Sequence, residues 1–387
     1  MKSMAAIANR TPPGRYRHFK GREYEVLGVA LHSERAEELV VYRPLYGSYR
    51  LMVRPAAMFH EVVERDGVRA LRFVYLGSTT MNKLTPSQWR AARDYLLQQA
   101  RPLEAARYRY HFEDGTAEAV LAALALFQNP DGGFGHALEP DLRTPASSAL
   151  ATSVAFQVLA EVGAPADHPL VLGGLAYLLA SYDSAAERWP IISPEAEATP
   201  RAFWWAADGL ADRFGHFSLN PRAELLGALW RYADPAHVPW LDQLTTTVVT
   251  EIEQRTAPLA DNDLLCALRL AATPALPAAL RARLDAHLRQ AVATAVVTTP
   301  ERWGDYVLRP LEVAPAPDAA YADLFPAALQ AHLDYLIDTQ GSDGAWTPVW
   351  SWAPLDAVAW TKAEREWKGV LTLAALRELD AWGRVAR

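Results

Sequence analysis

The sequence predicts an α+β multi-domain protein, with a small β-barrel-like N-terminal domain followed by a large all-α domain. Three observations lead there. The chain has 387 residues, more than one domain usually holds. Short runs rich in Val, Leu, Tyr and Phe fill the first part as far as Gly77. From Pro86 onward the pattern changes to long Ala/Leu-rich segments, each cut by Pro or Gly. The expected division is a disordered tail over 1–11, a β-rich domain over 12–77, a polar linker over 78–86 and a helical domain over 86–387.

In the first domain, Glu23–Leu31, Glu38–Tyr42, Ser48–Val53 and Arg69–Leu76 read as strands. Turn signals separate them at Arg43-Pro44, Tyr46-Gly47 and Asp66-Gly67. That spacing suits a small antiparallel barrel or curled sheet. Tyr16, Tyr24, Tyr42, Tyr46 and Tyr49 interleave with Arg15, Arg17, Arg43, Arg50 and Arg54, a mixture that on a surface would suit nucleic acid. In so small a domain the aromatics are needed for the core, and that reading is preferred.

Charge argues the same way. Residues 12–77 hold 11 Lys+Arg against 8 Asp+Glu, a net of +3, whereas 78–387 hold 25 against 37, a net of −12. An acidic major domain disfavours nucleic acid, whose backbone is bound by clustered Lys and Arg. Hydrophobic residues make up 51% and charged residues 21%, which excludes global disorder. No apolar run reaches the roughly 18 to 20 residues needed to cross a bilayer, and MKSMAAIANR lacks a secretory apolar core, so a cytoplasmic protein without a membrane span is expected. The single cysteine, Cys266, excludes an internal disulfide and a structural zinc site built on a Cys pair.

The words PGRYRHFKGREYEVLGVALHSE (Pro13–Glu34), LVVYRPLYG (Leu39–Gly47) and VRPAAMFHEVV (Val53–Val63) closely resemble a bacterial domain-of-unknown-function family. The resemblance implies a fold for residues 12–77 and no activity.

In the second domain Pro86–Gln99, Thr116–Gln128, Ser147–Glu161, Pro221–Tyr232, Asp261–Ala272, Pro277–Ala295 and Asp323–Thr339 read as helices, among about ten to twelve in all. Such density implies a bundle, a solenoid or a closed ring of hairpins. Gln128-Asn-Pro-Asp-Gly-Gly-Phe134 matches Gln340-Gly-Ser-Asp-Gly-Ala-Trp346 at Gln, Asp, Gly and the final aromatic. Downstream, Thr152–Gly163 aligns with Thr372–Gly383. Each unit is thus a helix, a Q-x-x-D-G-x-aromatic turn and a second helix. In the turn, Gly permits a left-handed conformation, Asp caps backbone N–H groups, and the aromatic packs between hairpins.

This repeat resembles that of squalene and hopene cyclases and of prenyltransferase β subunits. The resemblance implies a large all-α (α/α)6 toroid around a central cavity that binds a small apolar or amphipathic, isoprenoid-like molecule. The D-x-D-D acid motif of class II cyclases is absent; Asp261-Asn-Asp263 and Glu139-Pro-Asp141 come nearest. The zinc site of prenyltransferases is echoed by Asp263 and Cys266, with His287 or His332 as a third ligand, but a lone Cys in an amphipathic helix is ordinarily a core residue. No metal and no cofactor are therefore expected.

Tryptophan is concentrated late in the chain, and Trp204, Trp205, Trp346, Trp350 and Trp352 stand in Pro-containing connections. Such connections line the mouth of a toroid, where aromatic walls hold a prenyl chain or a cation, or stack on a sugar. Polar residues recur beside them. Glu139 and Asp141 are the candidate acids, since a carboxyl desolvated in an aromatic cavity has a raised pKa. His136, Arg143, Arg201, Trp303, Asp305 and Tyr306 complete the candidate ligand-binding set. The connection after Gly135 and that after Trp346 should meet at one mouth. Whether the ligand is transformed stays open, and two other readings remain: a carbohydrate-active toroid with paired carboxylates about 5 to 10 Å apart, and a non-catalytic interaction scaffold.

Overall fold

In Gly14-Arg-Tyr-Arg-His18 one aromatic stands between charged neighbours, and in the computed structural model this run is a strand, β1, with Tyr16 buried. The structure describes residues 11–46, 50–65, 68–77, 81–214 and 218–386. Contacts divide the chain into two compact units, Met1–Lys83 with Asp323–Asp334, and Leu84–Ala322 with Tyr335–Arg387.

In the first unit β1 is followed by β2 (Glu23–Leu31), β3 (Glu38–Pro44), β4 (Met52–Pro55), a single helical turn α1 (Ala56–Phe59), β5 (Val62–Arg65), β6 (Val68–Leu71) and β7 (Phe73–Gly77). Five strands pair antiparallel in the order β4-β3-β2-β1-β7, and β5-β6 form a separate hairpin. Closure into a barrel is not part of the pairing among the described residues. The run Arg69–Leu76, expected as one strand, divides at Arg72. There the backbone N–H donates to the Glu61 carbonyl at 2.9 Å and the guanidinium holds the Glu61 carboxylate, so β6 joins β5 while β7 joins β1.

Tyr16, Tyr42, Phe59 and Phe73 form the core of the sheet, with Phe59 and Phe73 stacked at 4.1 Å. Burying each ring contributes roughly 1.5–3 kcal/mol. The interleaved arginines are paired: Arg15 and Arg17 share Glu23, and Arg43 donates to Glu25 at 2.6 Å. Thr11, placed by the sequence at the end of the tail, is buried and bonds His60 at 2.7 Å. The rest of the expected tail, Tyr49, the turns at Gly47 and Asp66-Gly67, and 78–80 of the expected linker lie outside the described residues.

The remaining helices are α2 (Pro86–Gln98), α3 (Pro102–Phe112), α4 (Ala117–Ala125), α5 (Ala149–Glu161), α6 (Pro169–Ser181), α7 (Leu210–Phe214), α8 (Arg222–Tyr232), α9 (Leu241–Gln254), α10 (Asp261–Ala271), α11 (Ala278–Ala295), α12 (Pro310–Val313), α13 (Pro326–Asp338) and α14 (Ala357–Ala381). The sequence marks their starts. Thr85 and Gln88 make a reciprocal capping box ahead of α2, with Pro86 at the first helical position. Side chains of Thr116, Ser148 and Asp356 cap α4, α5 and α14.

Within this unit α2, α3, α4 and α5 pack each on the next, α8 meets α9 and α10, and both of those meet α11. The long α14 then returns to α2 and α3. Backbone bonds join its two ends: Leu84 donates to the Arg384 carbonyl at 2.8 Å, and Ala386 donates back to Leu84 at 2.9 Å. No helix among the described residues is long and apolar enough to cross a membrane.

The two matching turns have matching bonds. Gln128 Nε2 donates to the Gly132 carbonyl at 2.9 Å and to Leu170 at 3.1 Å; Gln340 Nε2 donates to Gly344 at 2.8 Å and to Gln88 at 3.0 Å. Asp131 accepts the Gly133 N–H, and Asp343 accepts the Ala345 N–H. The aromatics Phe134 and Trp346 each donate a backbone N–H, at 3.1 Å, to a threonine of the following helix, Thr152 and Thr372. Gly132 and Gly344 both have φ +86°, which glycine adopts without the cost of a Cβ.

Candidate functional site

The chain between α4 and α5 is forced into a tight path. His136 and Ala137 both take left-handed φ, +55° and +59°, which costs about 1 kcal/mol or more for each non-glycine residue. Arg101, capping α3, holds the loop there: its guanidinium donates to the carbonyls of Ala137 and Leu138 at 2.9 and 3.1 Å while forming a bidentate pair with Glu104 at 2.7 and 2.8 Å. The next residues, Glu139-Pro-Asp141, are thereby set into the wall of a cavity of about 910 Å3 that lies wholly within the helical unit.

One part of that wall is aromatic, with Phe203, Trp204, Tyr306, Trp350 and Trp367. Another is acidic. Asp141 Oδ1 accepts the Trp352 indole N–H at 2.6 Å, and Oδ2 accepts that of Trp350 at 3.0 Å. Burial raises the pKa of Asp141, while the bonded indoles of Trp352 and Trp350 and the charge of Arg143 pull it back. Glu139 lies deeper. Burial pushes its carboxyl well above the usual range, the neighbouring Asp141 charge adds to this, and the backbone N–H groups of Leu142 and Asp141 and the Arg101 charge offset it only in part. Its Oε2 is buried with no hydrogen-bond partner among the described residues. A carboxyl that holds its proton more tightly in this way can serve as a hydrogen-bond donor and as an acid.

Across the cavity, Asp263 is also raised by burial, and it accepts the backbone N–H groups of Leu219 and Asn220 at 2.7 and 3.0 Å. Its carboxylate therefore serves the 218–220 segment. Cys266 is buried, with Sγ 3.7 Å from Glu224 Oε2, and burial raises its pKa well above the ordinary value. Among the described residues no three His, Cys, Asp or Glu side chains gather as a metal-binding group.

The family model described as a protein of unknown function, DUF1653, matches residues 14–75, the strands β1 to β7. A crystal structure of a protein belonging to DUF1653, from Bordetella bronchiseptica, is 35% identical over 19% of this chain and 96% of its own, with a TM-score of 0.18. Through residues 14–75 the chain belongs to the DUF1653 family. No curated protein matches it. The DUF1653 domain contributes nothing to the cavity, whose lining runs from Arg101 to Val370.

Of the residues singled out in the sequence, the cavity wall brings together Glu139, Asp141, Trp204, Trp205, Tyr306 and Trp350. Trp352 stands behind them in the core with Leu142, Ile191 and Trp360. The two connections do meet, through the bonds from Trp350 and Trp352 to Asp141. The other candidates lie off the wall, each with a structural task. Arg143 forms a buried ion pair with Glu366 at 2.8 Å. Arg201 binds Glu197 and the carbonyls of Glu197 and Thr199. His136 is exposed and bonds Asn129 at 2.8 Å, and Asp305 pairs with Arg302 at the surface. Trp303 is fully buried and donates to the Val297 carbonyl, and Trp346 does the same to Leu336. Arg101, Glu104, Gln157, Glu224 and Trp367, which stand on four different helices or their caps, also line the cavity and belong to no sequence motif. Their only signal was that each is a polar or aromatic residue within an otherwise Ala/Leu-rich helix.

Proposed function

We propose that the helical unit is a ring of helical hairpins, of the α/α-toroid kind, enclosing a binding cavity for an amphipathic small molecule at which Glu139 is the acid. What carries the reading is one observation: the buried, unpartnered Glu139 oxygen in the wall of a cavity of about 910 Å3. Native proteins leave few buried polar atoms unpaired, and each one that they leave asks for an explanation, of which a bound water or a ligand is one. The volume matches that of small-molecule sites, which join mostly apolar walls to a few placed polar groups. The ring is supported by the return of α14 to α2 and α3 and by the two equivalent turns. A cavity of this size speaks against a scaffold whose centre is filled by side chains. The apolar part of a ligand, an isoprenoid-like chain being the working example, would lie on Phe203 and Trp204, and Glu139 would donate its proton to an oxygen or a double bond of the ligand.

Titrating the intact protein with farnesol and with cellobiose, and following tryptophan emission, tests this. Saturable quenching by farnesol, lost in Glu139→Ala or Trp204→Ala, is expected. Saturation by cellobiose alone would turn the reading toward a carbohydrate, and no saturation by either would remove it.

A further inference from the structure

Three rings of the cavity wall meet at right angles. Trp350 stands edge to face with Tyr306, centroids 5.6 Å apart at 89°, and with Trp367, 5.1 Å apart at 82°. Faces so arranged form a corner whose surfaces carry the negative part of the ring quadrupole. The Trp350 N–H donates to Asp141 Oδ2 at 3.0 Å. Donation to a carboxylate withdraws positive charge from the indole edge and makes its face a better partner for a cation.

The charges of the lining point the same way. Arg101 is taken up by Glu104, Arg269 by Glu224 at 2.7 Å, and Arg107 by Glu161 at 2.8 Å. Arg213 donates to the carbonyls of Ala206 and Asp208 and is exposed. Three carboxyl groups of the wall, Glu139, Asp141 and Asp263, have no guanidinium bonded to them among the described residues. An anionic headgroup in this corner would face carboxyls and the negative faces of rings together. A protonated primary amine would bring three N–H donors that aromatic faces satisfy poorly, whereas a methylated ammonium has a soft, N–H-poor surface that rings accept.

Resting on the cavity reading above, we propose that the ligand is an organic cation, a tertiary or quaternary ammonium bearing an apolar chain. Its cationic centre sits in the corner of Tyr306, Trp350 and Trp367, Asp141 is the counter-charge, and the chain runs along Phe203 and Trp204.

Calorimetric titration of the full chain with three decyl amphiphiles below their micelle concentrations separates the possibilities: decyltrimethylammonium, decyl maltoside and decanoate. The trimethylammonium compound should bind at least tenfold more tightly than either of the others. Asp141→Asn should narrow that gap by about tenfold. Trp367→Leu, which leaves the bonds from Trp350 and Trp352 to Asp141 in place, should narrow it as well, with circular dichroism reporting that each variant is folded. Equal binding of all three by the unaltered protein would overturn the cation assignment and leave the cavity standing. Binding of none would overturn both.

Discussion

Trp352 donates its indole N–H to Asp141 at 2.6 Å across 211 residues of chain. The donor is almost fully buried, and the acceptor lies in the only segment between α4 and α5. The bond ties the connection after one repeat turn to the connection after the other.

Trp352→Phe keeps an aromatic ring in the site and deletes the donor. A hydrogen bond to a charged group is worth about 1.5–3 kcal/mol, and loss of that order in urea unfolding is expected. A double-mutant cycle with Asp141→Asn should return a coupling energy of about 1 kcal/mol or more. Strict additivity of the two losses would show that the bond does not contribute to stability.

The Glu139 carboxyl is raised by burial, so the native state holds its proton more tightly than the unfolded chain does. Its contribution to stability is complete below the unfolded carboxylate value of about 4.3 and is lost as pH climbs through the native value. Glu139→Gln cannot titrate. The stability of the wild type minus that of Glu139→Gln should therefore fall as pH rises above the unfolded value of about 4.3, and a difference that is flat or rises with pH contradicts the assignment. Asp141 is raised too and gives the same sign, but it is present in both proteins.

Glu161 behaves oppositely. Burial alone would raise its carboxyl, but Arg107, His111 and Arg377 outweigh that and hold it well below the usual range. Its stabilising effect is present above the unfolded value and lost as pH falls through the native one. Glu161→Gln should thus cost stability at pH 7, and that cost should shrink as pH falls below the unfolded carboxylate value of about 4.3.

Arg143 and Glu366 are each about one-tenth exposed and paired at 2.8 Å. Removing one partner strands the other, at a cost of about 3–5 kcal/mol, whereas Arg143→Met with Glu366→Leu together should be far closer to neutral. Thermal unfolding of the three variants decides this. Equal losses for single and double variants would place Arg143 in a role beyond its pair.

At Gly132 an added Cβ would lie 2.2 Å from the Gly173 carbonyl oxygen, and φ is left-handed. Gly132→Ala should cost on the order of 4 kcal/mol through strain and overlap together. Gly163, at φ +64° with nothing within 4 Å of its Cβ position, is the control, and Gly163→Ala should cost about 1 kcal/mol.

What was legible in the sequence was local. The Thr85-Pro86 start of α2, the Ser148 cap and the two Q-x-x-D-G turns depend on residues within a few positions of one another, and the structure has them where the spacing put them. Aromatics in Pro-containing connections marked the cavity for Trp204 and Trp350. They did not do so for Trp346 or Trp303, because an indole N–H is satisfied as well by a backbone carbonyl in the core as by a ligand or a carboxylate. Arg101, Gln157 and Trp367 were not legible, since nothing in a helix's own periodicity says which other helix its polar face will meet. The break of 69–76 at Arg72 was hidden for the same reason: its partner, Glu61, lies eleven residues back.

The bond between Trp352 and Asp141 also fixes an order of events during synthesis. Asp141 leaves the ribosome 211 residues before the indole that will hold it. Until then its carboxylate must remain hydrated, because burying it without donors is costly. The nascent helices are therefore expected to stay open at this corner, and the cavity wall to dry out only when the connection carrying Trp350 and Trp352 arrives. Desolvation of the acid pair and arrival of this connection become one step, so a ribosome-bound fragment ending before Trp350 should keep Asp141 hydrated.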